Sequence, residues 1–91
     1  IMKVDFTKAK VEVTFGEYKE MDIAKAVGNA IHQNTSDIGV DETARNIYHS
    51  EGELEIPDEQ ISAIIYALSN ASTILVSAKK AALNLLKLTQ E

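Results

Sequence analysis

The chain has 91 residues, of which 45% are hydrophobic and 25% charged, with one proline, no cysteine and a formal net charge of −5. That composition argues against wholesale disorder and fits one domain, 1–91, able to bury about 60 to 65% of its unfolded surface, so that oligomerisation would help it. Lack of cysteine excludes disulfides, thiolate nucleophiles and thiolate zinc sites, and it fits a reducing compartment.

Lys3 to Phe6 and Lys10 to Phe15 alternate polar and apolar residues, which predicts half-buried strands with Val11, Val13 and Phe15 on one side. Phe15-Gly16-Glu17-Tyr18 reads as a hairpin turn, because glycine tolerates the positive φ of a tight reversal, and Glu17 to Met21 returns as the partner strand. A two-residue loop would set Phe15 opposite Tyr18 and a three-residue loop Val13 opposite Met21; the sequence leaves both open. Asp22 is expected to cap a short helix carrying Ile23, Val27, Ala30 and Ile31, running to about Gln33 or Asn34. After the turn-forming cluster Asn34 to Gly39, Val40, Ala44, Ile47 and Tyr48 mark a second helix, with Asp41 as its expected cap and a stop near Gly52. Leu54 and Ile56 alternate with Glu53 and Glu55 as a short strand that can add to the N-terminal sheet.

Pro57, Asp58, Glu59 and Gln60 open a long helical region, since proline suits a helix start and acids there favour the dipole. Within it Ile61, Ile64, Leu68, Ala71, Leu75, Ala78, Ala82 and Leu85 recur at gaps of three and four, the spacing of one helical face. Ser69 to Thr73 is a run of poor helix formers, so 58–90 is either one helix or two. Ile65, Ile74, Ala81, Leu83 and Leu86 widen the apolar face beyond a coiled-coil seam, leaving two destinations for it: internal core or a contact with a second molecule. Replacing Leu75 with Asp is expected either to dissociate an oligomer or to unfold the chain.

Charge is unevenly distributed. Between 31 and 60 eight carboxylates face only Arg45, a net of −7 with both histidines neutral. Such a segment repels phosphate, so nucleic-acid binding through it is disfavoured; a helix-turn-helix regulator would need its second and third helices, which carry Asp41, Glu42, Asp58 and Glu59, to approach the backbone of DNA. Asp41, Glu42, Glu51, Glu53 and Glu55 are instead candidates for a surface that selects a basic partner, or that occupies a basic nucleic-acid-binding surface on another protein.

Catalysis has thin support. His32 and His49 lie on different predicted helices, outside any metal-ligand motif, though His32 near Asp37 or His49 near Glu51 and Glu53 could pair by folding. The scattered glycines form no phosphate-cradling loop. No apolar run approaches the roughly 20 residues that span a bilayer, and Met2-Lys3-Val4-Asp5 lacks the apolar stretch of a signal peptide, so the expected location is cytoplasmic, with no membrane partner.

The stretch from Asn29 through Gly39, with Ala44-Arg45-Asn46-Ile47-Tyr48 and Gly52-Glu53-Leu54-Glu55-Ile56, resembles small uncharacterised proteins encoded by bacterial prophages and mobile elements. The resemblance covers about the middle third, implies a cytoplasmic accessory or assembly role, and carries over no site residue.

The expected architecture is α+β: an N-terminal antiparallel hairpin or small sheet, three to four helices, and a long helical C-terminal region. The expected function is non-enzymatic protein interaction, without cofactor or metal. Ile61, Ile64, Leu68, Leu75, Ala78, Ala82 and Leu85 are its candidate interface, with a protein partner or a second copy as occupant.

Overall fold

A computed structural model describes residues 1–90, with side chains through Lys87, and has the α+β architecture. Strand β1, Met2–Val4, pairs antiparallel with β4, Leu54–Ile56, in the register Met2↔Ile56, Lys3↔Glu55, Val4↔Leu54. Met2 and Val4 point into the core while Lys3 faces water, opposite a carboxylate of the other sign. The chain then makes a 3₁₀ turn over Phe6–Lys8. The Asp5 carboxylate accepts from the Thr7 N–H at 2.9 Å and from the Thr7 hydroxyl at 2.5 Å. That turn sends Phe6 fully inward, and the Phe6 carbonyl accepts from the Ile23 N–H at 2.9 Å, tying the strand region to the first helix.

Strands β2, Ala9–Thr14, and β3, Glu17–Met21, form a separate two-stranded sheet. Gly16, at φ 85°, makes the reversal. Neither anticipated register occurs. Ala9↔Met21 through Glu12↔Tyr18 pair regularly, then Thr14 pairs with Glu17 because Val13 is the extra residue of a bulge. A bulge shifts the alternation by one residue, so Val11 is buried but Val13 and Phe15 are exposed, contrary to the common buried side expected for all three.

Helix α1 runs Ala24–Asn34; its N-cap is Ile23 rather than the expected Asp22, whose carboxylate one residue earlier accepts from the Ala24 N–H at 3.0 Å. Helix α2 runs Ile38–Tyr48. Its cap is Asp37 rather than Asp41: the Asp37 carboxylate accepts from the N–H groups of Gly39 and Val40 at 2.8 and 3.3 Å. Asp41 falls within the first turn, where a carboxylate still favours the helix dipole. Helix α2 also ends at Tyr48, short of Gly52, and the Ser50 hydroxyl donates to the Ile47 carbonyl at 2.7 Å just past it.

The C-terminal region is two helices, α3 at Asp58–Asn70 and α4 at Val76–Gln90. Asn70 turns its side-chain amide onto the Tyr66 carbonyl at 2.9 Å, as a residue that competes with helical bonding does. Helix α3 packs on α1 and α4, and α4 lies across β2 and β1. One hydrophobic core joins these elements, with Phe6, Ile31, Ile47, Ile64, Leu68 and Leu86 fully buried in it. The seam therefore lies mostly inside this core. Ile61, Ile64, Leu68, Ala78 and Ala82 are buried within the chain, Leu85 packs partly buried against them, and Leu75, in the link between the helices, is 77% exposed. Helical spacing implies a shared face only while one helix continues, and the break at 71–75 separates Leu75 from the rest.

Candidate functional site

Two surface features bring chemically distinctive side chains together. The first is a small cleft, about 180 Å³, between α1 and α2. It exists because Gly28 lets the helices approach: a Cβ there would stand 2.8 Å from both the Ala44 carbonyl oxygen and the Tyr48 Cβ. Asn29, His32, Asp41, Arg45, Tyr48 and His49 line it. His32 Nδ1 meets the Asp41 carboxylate in a hydrogen-bonded pair, so the partner of His32 is Asp41 rather than the anticipated Asp37. His49 stacks edge-on against Tyr48, with ring centroids 5.0 Å apart, instead of meeting Glu51 or Glu53. Lys25 Nζ sits 5.8 Å from the Tyr48 ring centroid.

A carboxylate on Nδ1 orients an imidazole and leaves Nε2 for exchange with a ligand or water. Among the described residues no hydroxyl or amine hydrogen-bonds to His32, and no group of three His, Cys, Asp or Glu side chains converges on a metal position. The pair joins the two helices at a partly exposed rim.

The second feature is an apolar shoulder where the β2–β3 turn meets the start of α4. A groove of about 440 Å³ is walled by Val13, Phe15 and Val76, with Glu12, Thr14, Ser77 and Lys80 around them. Phe15 is 98% exposed and Val76 64%, and Leu75 adjoins Val76 in the chain. The turn carrying Phe15 is held in place: the Glu12 carboxylate accepts from the Gly16 N–H at 3.1 Å, and the Thr14 hydroxyl donates to Glu17 at 3.1 Å. Exposed Ile38 and Tyr66 stand elsewhere as single apolar residues, which are ordinary on any surface. Phe15, Val13 and Val76 differ in lining one groove.

Of the proposed acidic surface, Glu42, Glu51, Glu53 and Glu55 are exposed, on α2 and around β4. Asp41 is committed to His32, and Glu55 stands opposite Lys3. Of the proposed apolar interface only Leu75 is exposed. Sequence reasoning missed Phe15 and Val76; the one available signal was that Phe15 precedes the turn glycine, a position at the tip of a hairpin and beyond the reach of the core. Bonds from the Thr7 hydroxyl, above all, and from the backbone hold the Asp5 carboxyl below the ordinary 3.8. No helix among the described residues is long and apolar enough to cross a membrane. Comparison of the chain with protein-family models, with curated proteins and with solved structures returns no match.

Proposed function

We propose that the protein is a non-catalytic interaction or assembly module, cytoplasmic and of a bacterial or phage setting, whose contact face is the apolar shoulder rather than the C-terminal seam. The occupant is a partner protein that inserts an apolar side chain between Phe15 and Val76. The observation that carries this reading is the groove itself: a 98% exposed phenylalanine on a turn braced by two carboxylates, beside an exposed valine. A partner that covers Phe15 and Val76 gains their burial, worth about 25 cal/mol for each Å² of apolar surface removed from water, without first having to order the turn. The resemblance of 29–56 to small prophage proteins supports the bacterial or phage setting.

Charge supplies selection. The carboxylates Glu42, Glu51, Glu53 and Glu55, remote in sequence from the shoulder, favour partners with a basic surface and disfavour nucleic acid.

The test is site-specific photo-crosslinking in bacterial cells, with the crosslinking residue at position 15 and, as a control, at position 66 on the exposed side of α3. A discrete adduct from position 15 that position 66 does not give, and that Val76→Ser abolishes, is the expected outcome. Equal adducts from both positions, or none from position 15, would overturn the reading.

A further inference from the structure

We propose that β3 is a self-pairing edge, and that two copies of the chain join β3 to β3 in an antiparallel four-stranded sheet centred on Tyr18. Glu17–Met21 hydrogen-bonds to β2 on one side only, and among the described residues no strand lies on its other side. All five of its residues are exposed. It carries no proline and no bulge of its own, the usual devices that block an edge. Its defence would have to be its charges.

Symmetry decides whether those charges repel. A two-fold axis that exchanges two neighbouring strands and reverses their direction stands perpendicular to the sheet, so it keeps every residue on its own face. Residues that oppose one another across the new pair must then differ by an even number, which restricts the register to those with one residue on the axis. Placing Glu17, Lys19 or Glu20 on the axis opposes like charges, and placing Met21 there sets Glu20 against Asp22. Tyr18 on the axis does neither. It sets Tyr18 against Tyr18 and Glu17 against Lys19 of the second copy, twice, once on each side. The same register directs the turn, with its exposed Phe15, toward the exposed Met21 of the second copy. The edge is thus charged in a pattern complementary to itself under the one symmetry available to it.

This inference goes beyond the shoulder reading, because the pairing runs from residue 15 to residue 21, shares only Phe15 with the shoulder, and leaves Val13 and Val76 uncovered.

Sedimentation equilibrium of the full chain at low salt, from micromolar to about millimolar, tests it. The parent is expected to show a monomer–dimer equilibrium. Lys19→Glu puts Glu17 against a glutamate and is expected to raise the dimer dissociation constant at least about tenfold, with Glu17→Lys acting alike. The double swap Glu17→Lys with Lys19→Glu restores both opposed pairs and is expected to return the constant to within about threefold of the parent. Positions 17 and 19 are exposed, so thermal melts are expected to show all variants folded. Val76→Ser is expected to leave the equilibrium unchanged, which separates this proposal from the shoulder reading. A parent that stays monomeric throughout, a Lys19→Glu variant that dimerises as well as the parent, or a double swap that fails to recover would overturn it.

Discussion

Replacing Gly28 with alanine tests the closest approach in the fold. An added Cβ would lie 2.8 Å from the Ala44 carbonyl oxygen and 2.8 Å from the Tyr48 Cβ, where ordinary contact begins at 3.4 Å. Neither atom is the far end of a flexible side chain, so α1 and α2 must part by about 0.6 Å along those directions. Overpacking of this kind costs about 1–3 kcal/mol, at the upper end when a backbone atom is the obstacle. Against it, alanine in a helix interior is favoured over glycine by about 1 kcal/mol. The net expectation is a loss of about 1–2 kcal/mol, which for a chain of this size lowers the melting temperature by about 5 to 15 °C. Urea and thermal denaturation followed by circular dichroism measure it, with Gly52→Ala as the control. Gly52 has nothing within 4 Å of an added Cβ and no positive φ, so that variant should stay within about 0.5 kcal/mol of the parent or gain slightly. A Gly28→Ala protein as stable as the parent would refute the close helix contact, and with it the cleft that positions His32 against Asp41.

Leu68→Ala and Leu75→Ala should diverge sharply. Leu68 is 0% exposed and its truncation is expected to cost about 2.7–5 kcal/mol, whereas Leu75, at 77% exposure, should change stability by no more than about 0.5 kcal/mol. Leu75→Asp should likewise stay folded and leave the oligomeric state as it was, contrary to either outcome anticipated from the sequence; comparable unfolding by the Leu68 and Leu75 variants would restore the continuous seam. For Asp5 the folded-state pKa lies below the unfolded value, so its contribution is present above about pH 3.8 and is lost as pH falls through the folded pKa. Parent and Asp5→Ala are therefore expected to differ by no more than about 1 kcal/mol at neutral pH, since solvent still screens a half-buried carboxylate, and to converge in acid. A difference that persists unchanged to pH 2 would contradict this.

Local chemistry was legible in the sequence where it acts over a few residues. The glycine of the hairpin, the alternation of Leu54 and Ile56, and Pro57 followed by two acids each announced an element that the structure contains. What escaped were shifts of phase. The 3₁₀ turn at Phe6–Lys8 and the bulge at Val13 each displace the inward-facing set by a residue; no residue type marks the bulge, and Asp5, which caps the turn, also fits the strand alternation as one more polar residue. Asp37 and Asp41 are both acceptable caps in isolation; Asp37 holds the role because its carboxylate accepts from two N–H groups in the first turn. The run from Ser69 to Thr73 did mark the break, but the apolar spacing continued across it, so the sequence showed a seam without showing that Leu75 leaves it. The candidate contact surface suffered most from these phase errors, because whether an apolar side chain faces core or water turns on a single residue of register.

The most direct test of where association occurs is a dilution series of amide ¹H–¹⁵N spectra on the full chain, from about millimolar to micromolar. Concentration-dependent shifts are expected only in the hairpin, residues 13 to 21, with Ile61, Ile64 and Leu68 unmoved. Shifts gathered on α3, or a hairpin that does not respond at any concentration, would contradict this.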